Sequence, residues 1–220
     1  MSRAMTQQKS RKREYDSSRR QAQADETRRH ILEAARKLFM ERGYAGATAE
    51  AIAAEAGVAA QTIYAIFKNK KKMLVSLMNV SPTTGVEDNT PMPERPSVQA
   101  VSQEHDQRRQ LEMFAQVVAA NLGQVAVVSE IMADAAKTEP DFDRILQKLN
   151  KQRLEHMSLA VEQVAGNGPF RENIDKMYAR DTIWTLTSPE VFLLLTQGRG
   201  WSKEKYAQWL ADMLMRVLLP

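Results

Sequence analysis

Residues 48–67 contain two short helical patterns separated by a tight turn that includes a glycine. Thr48 precedes AEAIAAEA, Gly57 follows it, and AAQTIYAIF comes directly after Val58. Glycine adopts the left-handed conformation that ends a helix at little steric cost, so Gly57 predicts a sharp turn. The residues predicted to be buried between the two helices are Ile52, Ala53, Ile63 and Phe67. The segment therefore predicts a pair of closely packed helices, and this constrains the first part of the chain to a helical fold.

The second helix of this pair has polar residues on the face opposite to its buried residues. Gln61, Thr62 and Tyr64 lie near its start, where a helix placed in the DNA major groove contacts base edges and phosphates. Lysines at 70–72 fill the first turn of the next predicted helix, where cations are unfavourable unless an anion binds there. The alternative for these lysines is a solvated face with some electrostatic cost. The pattern favours a DNA-binding surface.

The composition favours helix over sheet along the whole chain. Nine Gly and eight Pro among 220 residues leave few helix breakers, and the absence of Cys excludes disulfides, thiolate zinc sites and thiol catalysis. Apolar stretches such as 191–195 are too short to cross a bilayer, and the basic N-terminus has no apolar segment of a secretory signal. The sequence therefore predicts an all-α, cytoplasmic protein that does not bind membranes.

The charge is distributed unevenly along the chain. Residues 1–72 contain 16 Lys and Arg against 8 Asp and Glu, whereas residues 73–220 contain 15 against 19. Seven of the cations lie in residues 1–24, which show no helical period and are interpreted as a mobile basic arm. Such an arm adds affinity for DNA by releasing counterions, and the alternative is an inert solubilising tail.

The order of caps and breakers predicts two domains. Asp25 or Thr27 begins the first long helix, Gly43 ends it, and Asn69 caps a fourth helix within a head that spans residues 25–80. Residues 81–96 contain four prolines and are interpreted as a linker. The remaining residues, 97–220, form a helical domain, with helices predicted at 97–122, 125–137, 141–165, 171–186, 189–197 and 202–219.

Residues 25–77 also carry an ordered set of short motifs. A helix ends in F-x-x-x-G-Y, and then follow T, I-A-x-x-A-G-V and T-I-Y-x-x-F-x-N-K. In this order and spacing the motifs resemble the tetracycline-repressor-like (TetR) family of one-component transcription regulators. The resemblance covers about a quarter of the chain. It implies a three-helix DNA-binding head, a linking helix and a C-terminal domain that dimerises and binds a small effector.

The resemblance also implies roles for individual residues of the head. With Lys71 added from the lysine-rich turn, the expected DNA contacts are Thr48, Ala60, Gln61, Thr62, Tyr64 and Lys70. Three positions depart from the family pattern: Ala49 stands where a base-reading arginine is common, Ala59 where a polar cap is usual, and Ile66 where histidine is frequent. Gln61 remains as the one side chain that hydrogen-bonds strongly to bases, so we expect few direct contacts with the base edges of the operator.

The C-terminal sequence predicts a dimerisation hairpin. Ser188-Pro189 begins one helix and Ser202 caps the last one, with Trp201 placed to pack on Tyr206. The apolar surface of the two helices exceeds what one side can cover, which favours a two-fold four-helix bundle; the alternative is that both helices pack into their own core. The predicted interface residues are Phe192, Leu195, Trp209, Leu210, Met213, Leu214, Val217 and Leu218.

The middle of the chain offers candidates for an effector cavity but no catalytic motif. The candidate lining residues are Met113, Phe114, Val117, Met132, Met157 and Trp184, which are equally typical of a plain core. Metalloprotease, serine-hydrolase and phosphate-loop motifs are absent from the sequence, and the three histidines are scattered. We expect no catalytic residues, no metal and no cofactor.

These features together predict a homodimeric transcription regulator. The expected partners are a palindromic double-stranded DNA operator, which the protein represses, and a small-molecule effector that releases the protein from this DNA. The alternative from another class is a helical ligand-binding or adaptor protein whose head no longer reads DNA, which the alanines at 49, 59 and 60 favour.

Overall fold

The computed structural model describes the backbone of residues 2–81 and 87–220, and the side chains of residues 19–81 and 87–220. Within these ranges there are ten α-helices and no β-strand, which confirms the all-α class. The helices are α1 (Ser2–Gly46), α2 (Ala49–Glu55), α3 (Ala60–Phe67), α4 (Lys70–Ser76), α5 (Pro96–Ser102), α6 (Gln107–Ala136), α7 (Pro140–Gly166), α8 (Lys176–Leu186), α9 (Pro189–Thr196) and α10 (Lys203–Leu218). Short 3-10 turns lie at Leu77–Asn79 and Met92–Glu94.

The chain divides into two compact units. The first contains the described residues up to Leu77 together with Glu87, and the second contains residues 78–81 and Asp88–Pro220. The first division lies close to the boundary predicted at 80, whereas residues 88–96 of the predicted linker belong to the second unit. The assignment of the domains to particular roles stays a prediction.

The first unit is a small helical head in which α1 packs against α2 and α4, and α2 and α4 pack against α3. One face of α1 is buried at the helical spacing that the sequence predicts, through Ile31, Ala35, Leu38 and Phe39. Gly43 interrupts α1 with a positive φ of 66°, which is the predicted end of its regular part. The core of the head therefore holds the end of α1 firmly against the two short helices.

The start of α1 differs from the prediction. The helical backbone begins at Ser2, so neither Asp25 nor Thr27 is an N-cap; the Thr27 hydroxyl donates instead to the Gln23 carbonyl one turn earlier, as it does in a helix interior. Residues 1–42 contain no Gly or Pro, and most of their side chains have good helix propensity, so nothing breaks the helix before Gly43. The backbone of residues 2–24 is thus helical rather than irregular.

The second unit is built around α6, against which α5, α7, α9 and α10 pack, while α7 also packs against α8. The predicted break at 123–124 is wrong, because α6 continues through Gly123 to Ala136. Gly123 stands where α10 comes close: a Cβ there would lie 3.2 Å from Lys203 Cδ. The actual break precedes α6, where the Asp106 side chain accepts from the Arg109 amide and caps the helix.

The caps of the last helices agree with the prediction more closely. Ser188 accepts from the Val191 amide and Ser202 from the Lys205 amide, each at the start of its helix. Trp201 packs edge-on against Trp209, with ring centroids 6.0 Å apart, and the packing predicted on Tyr206 is not the one observed. Helix α8 begins at Lys176 rather than at 171, because Asp175 caps it.

Helix α6 is long and apolar enough to span a membrane, which the sequence analysis overlooked by considering only short uninterrupted runs. It carries eleven buried residues and provides the packing surface for four other helices. The core helix of a globular domain passes the same length and composition test.

Candidate DNA-binding site and effector cavity

Helices α2 and α3 are joined by a tight turn that fixes their relative direction. Gly57 has a φ of +67°, its amide bonds the Ala54 carbonyl at 3.3 Å, and the Val58 amide bonds the Ala53 carbonyl at 3.0 Å. This pair of bonds is a Schellman motif, in which the left-handed residue is favourable only for glycine or asparagine. The predicted role of Gly57 as the exit from α2 is confirmed.

The start of α2 is capped by Thr48, whose hydroxyl accepts from the Ala51 amide at 3.1 Å. Ile52 and Ala53 are buried, as predicted. Ala49 is also buried, with 6% of its surface exposed, so it faces the core and cannot be a base-reading position. Glu50 is the exposed residue of this turn, and the sequence analysis missed it because it assigned the outward position one residue too early.

Helix α3 presents the face that the sequence predicts. Ile63 and Phe67 are buried, and Gln61 and Tyr64 are exposed on the other side. Ala60 and Thr62 are half-buried, and Ala59 before them makes no side-chain cap. The candidate DNA-contact residues Thr48, Ala60, Gln61, Thr62 and Tyr64 therefore all retain accessible surface on the α2–α3 pair.

Tyr64 is linked to α2 through its hydroxyl, which donates to Glu50 Oε1 at 3.3 Å. The negative charge of Glu50 raises the pKa of Tyr64 above its ordinary value, with smaller effects from desolvation and from the hydrogen bond. The phenol is therefore protonated at neutral pH and can donate, but its single proton already has an acceptor. A DNA phosphate at this position would have to replace the carboxylate as the acceptor.

Lys70 is held against the end of α1. Its Nζ donates to the Tyr44 carbonyl at 2.7 Å and lies 4.1 Å from the centroid of the Tyr44 ring. Asn69 caps α4 as predicted, by accepting from the Lys72 amide at 2.8 Å. The Tyr44 carbonyl and ring stabilise one of the three cations in this first turn. The lysine-rich turn is therefore weaker evidence for a bound anion than it was from the sequence. Lys71 is half-buried and Lys72 is exposed.

A cavity of about 190 Å³ lies in the second unit between α6 and α7. Three of the six predicted lining residues line it: Phe114, Val117 and Met157. Met113, Met132 and Trp184 do not line it; Met132 is completely buried, while Trp184 lies under the guanidinium of Arg153 at 4.3 Å. Apolar spacing identified the correct helices but could not show which core residues border an empty space.

The cavity also has polar lining residues that the sequence analysis missed. They include Gln110 and Asn121 from α6 and Arg153, His156 and Gln163 from α7. The three from α7 follow helical spacing, as Met157 and Val164 do, and this was the available signal. A larger surface groove of about 470 Å³ between α6 and α10 is lined mainly by alanines and by charged and amide side chains, and it offers less apolar enclosure.

The first unit is similar in sequence to a known family of regulators. Residues 31–77 match the bacterial regulatory proteins of the tetR family. We call this matched segment the TetR domain, after the family that it resembles. The match begins in the buried part of α1 and ends after α4, so it includes the whole α2–α3 pair and the residues on its exposed face.

Solved structures extend the similarity beyond the TetR domain. FadR from Bacillus subtilis, in complex with stearoyl-CoA, is 20% identical, with a TM-score of 0.61 over 84% of this chain and 96% of FadR. FadR of Bacillus halodurans, a fatty acid degradation regulator, is 20% identical, with a TM-score of 0.63 over 86% and 94%. NalD of Pseudomonas aeruginosa, the secondary repressor of the MexAB-OprM multidrug efflux pump, is 22% identical, with a TM-score of 0.62 over 90% and 98%. No curated protein matches the sequence. At these identities the likeness establishes the fold.

Half of the residues predicted for the dimer interface on α9 and α10 are buried within their own unit, so this part of the prediction is wrong. Phe192, Leu210, Leu214 and Leu218 are buried in the core of their own unit. Helix α10 packs on α6 of the same chain through this stripe, so these residues have no surface for a partner. The other four, Leu195, Trp209, Met213 and Val217, are half-buried, and Leu194, which the prediction omitted, is 65% exposed.

Among the residues that the structure describes, no group of three or more His, Asp or Glu side chains is arranged to hold a metal ion. The clearest titratable cluster outside the head lies at the cavity in the second unit. Three features of the described residues are candidate binding sites: the exposed α2–α3 face, the cavity in the second unit, and the apolar stripe on α9 and α10.

Proposed function

We propose that this chain is a sequence-specific DNA-binding transcription regulator, a cytoplasmic repressor released by a small ligand. The observation that carries the proposal is the exposed face of α3 in a TetR domain: Gln61 and Tyr64 face outward while Ile63 and Phe67 anchor the helix in the core. A helix held in this way presents side chains to base edges in the major groove.

The relatives support a ligand-controlled repressor. FadR from Bacillus subtilis is described as a transcriptional regulator in complex with stearoyl-CoA, and NalD as a repressor. By analogy, a small molecule in the second unit would alter the separation of two heads from the roughly 34 Å that places them in successive major grooves. We propose that the chain acts without enzymatic activity and without a cofactor.

Repression of this kind requires two heads, so we also propose a homodimer. Its interface would use the apolar side chains of α9 and α10 that their own unit leaves accessible: Leu194, Leu195, Trp209, Met213 and Val217. The last three are spaced four residues apart and form a single stripe along α10. A two-fold arrangement of this stripe matches a palindromic operator.

A gel-shift titration on the DNA that flanks the protein's own gene tests the proposed function. We expect a salt-sensitive complex with this DNA, and an excess of random DNA should displace the protein from it only poorly. If no sequence-selective complex forms, the chain is instead a ligand-binding or adaptor protein with an inactive head.

The recognition-helix assignment predicts different effects for two substitutions. Gln61→Ala should weaken binding to the operator by roughly 1–3 kcal/mol and binding to random DNA very little, because an amide reads base edges. Tyr64→Phe should weaken both DNAs by the same factor, since a phenol contacts only the backbone. Operator and random-DNA affinities measured side by side check this. An unchanged specificity ratio in the Gln61 variant would remove α3 from its proposed role.

Glu50→Gln provides a third measurement on the same face. The amide is a weaker acceptor for the Tyr64 hydroxyl than the carboxylate, and the change eliminates a charge that repels phosphate, so binding to all DNA should tighten by roughly two- to fivefold at low salt. Glu33→Gln, an exposed change on α1 that leaves the α2–α3 face intact, is the control. Weaker binding that is confined to the operator would show instead that Glu50 accepts from a cytosine amino group.

A further inference from the structure

We infer that the cavity between α6 and α7 binds a small amphipathic anion, with its carboxylate on Arg153 and its apolar part against Phe114, Val117 and Met157. Binding to the cavity is independent of the proposed function. The role of this ligand as the effector of a repressor rests on that proposal.

The charges that border the cavity favour an anion. Arg153 and His156 are the ionisable residues of its lining, and no Asp or Glu lines it. Three charged residues outside the lining act on this pair: Glu190 on Arg153, and Glu155 and Arg95 on His156. None of the acids forms an ion pair with Arg153 among the described residues, so no countercharge contacts its guanidinium.

The hydrogen bonds of Arg153 leave one terminal nitrogen of its guanidinium, Nη2, without a protein acceptor among the described residues. Nη1 donates to the Trp184 carbonyl at 2.7 Å, and the plane lies over the Trp184 ring at 4.3 Å. Nε is buried and has no hydrogen-bond partner among the described residues. Because Nε has almost no accessible surface, a ligand in the cavity cannot reach it, and Nη2 is the donor left for a carboxylate. A charge-assisted hydrogen bond from Nη2 to a carboxylate is stronger than one to a neutral head group.

The partial burial of Arg153 also favours an anionic partner. Desolvation lowers the pKa of Arg153, while Glu190 opposes the shift from a distance. A guanidinium nevertheless stays protonated in proteins, so the cation cannot avoid the cost of burial by losing its proton. A carboxylate in contact would offset that cost, whereas a neutral or cationic ligand head would not.

The remaining lining defines the other end of the ligand. Phe114, Val117 and Val118 from α6 face Met157 and Ala160 from α7, and these side chains provide an apolar wall. Gln110 has little capacity left, because its amide nitrogen donates to the Val101 carbonyl and its oxygen accepts from Asn167. The volume of about 190 Å³ lies below the range of drug-sized sites. The ligand is therefore a small monoacid rather than a long-chain or multiring compound.

A purely structural role for Arg153 makes a different prediction. In that case the guanidinium only satisfies the Trp184 carbonyl near the end of α8, and the cavity accepts any apolar molecule of suitable size. Ligand affinity would then follow the length of the apolar chain and would not depend on the charge of the head group.

Calorimetric titration of the full chain with three probes of equal chain length separates the two roles. Octanoate, 1-octanol and octylammonium share one apolar tail and differ in the charge of the head. We expect octanoate to bind at least tenfold more tightly than either of the others, equivalent to about 1.4 kcal/mol. Equal affinities of octanoate and octanol, or no binding of octanoate, would overturn the inference.

Variants of α7 assign the preference to Arg153. Arg153→Gln should reduce octanoate binding at least tenfold and leave octanol binding within threefold, and Arg153→Lys should fall between wild type and Arg153→Gln. Arg144→Gln, a change of the same type at a side chain that is 79% exposed on the same helix, should bind all three probes as wild type does. If Arg153→Gln proves unstable, the lysine variant decides, because it keeps the charge and loses the fixed guanidinium geometry. An undiminished octanoate preference in both variants would place the anion elsewhere.

The gel shift keeps this inference distinct from the proposed function. If octanoate binds through Arg153 but never releases DNA, the inference holds and the effector role fails. If DNA binding is selective while octanol binds as tightly as octanoate, the function holds and the inference fails.

Discussion

Met213→Glu should convert the protein into a folded monomer that binds its operator at least 100-fold more weakly. Met213 lies in the middle of the half-buried stripe on α10, between Trp209 and Val217. In a two-fold interface the substitution brings two carboxylates towards each other in an apolar contact, and burying unpaired charges is costly. A monomer also loses the gain of roughly 10²–10⁴ that comes from binding two half-sites together. Sedimentation velocity and a gel shift on the full operator measure the two effects.

Met177→Glu is the matched control, because it introduces the same charge in place of another methionine of the second unit. Met177 lies on α8 and is 62% exposed, so the variant should remain dimeric and bind the operator as wild type does. A Met213→Glu protein that still sediments as a dimer would exclude the α10 stripe from the interface. If both variants dissociated, the general charge of the second unit would be the cause, not the stripe.

Leu214→Ala should lower the free energy of unfolding of the second unit by about 2–5 kcal/mol without changing the oligomeric state of the folded protein. Leu214 is completely buried in the core cluster, one residue along from Met213 but on the face of α10 that contacts α6. Truncation removes apolar contacts and leaves a cavity that the neighbouring helices fill only in part. Urea unfolding followed by circular dichroism measures the loss.

The comparison for this variant is Leu194→Ala on α9, at a leucine that is 65% exposed. Measured in the monomeric Met213→Glu background, its effect on the free energy of unfolding should stay within about 0.5 kcal/mol. The opposite pattern, a stable Leu214→Ala protein that dissociates, would restore Leu214 to the dimer interface that the sequence predicted.

The recognition segment was accessible from the sequence because its signals act over one or two helical turns. Thr48 and Asn69 accept from amides three residues later. The turn at Gly57 is closed by bonds from the Gly57 amide to the Ala54 carbonyl and from the Val58 amide to the Ala53 carbonyl. The side-chain period of a short helix then fixes that Ile63 and Phe67 share one face while Tyr64 lies on another. The same local logic predicted the Ser188 and Ser202 caps.

The errors in the head have a related cause. Ala49 and Glu50 are adjacent, and small residues fill most of α2, so the apolar pattern does not distinguish which of them faces outward. The contacts of α2 with α1 and α3 bury Ala49 and leave Glu50 beside the Tyr64 hydroxyl. The start of α1 was misplaced because possible capping residues occur in the interior of helices as well as at their ends.

The sequence alone determined the all-α class, the α2–α3 pair with its exposed Gln61 and Tyr64, and most helix ends. Each depends on backbone hydrogen bonds and side-chain periods within a few residues. The tertiary structure decided which stripe of α10 is core, and that Arg153 borders a cavity. Both depend on α6, which is distant in sequence from α10 and from Arg153 of α7. Burial is a property of two surfaces in contact, and a helical period identifies only one of them.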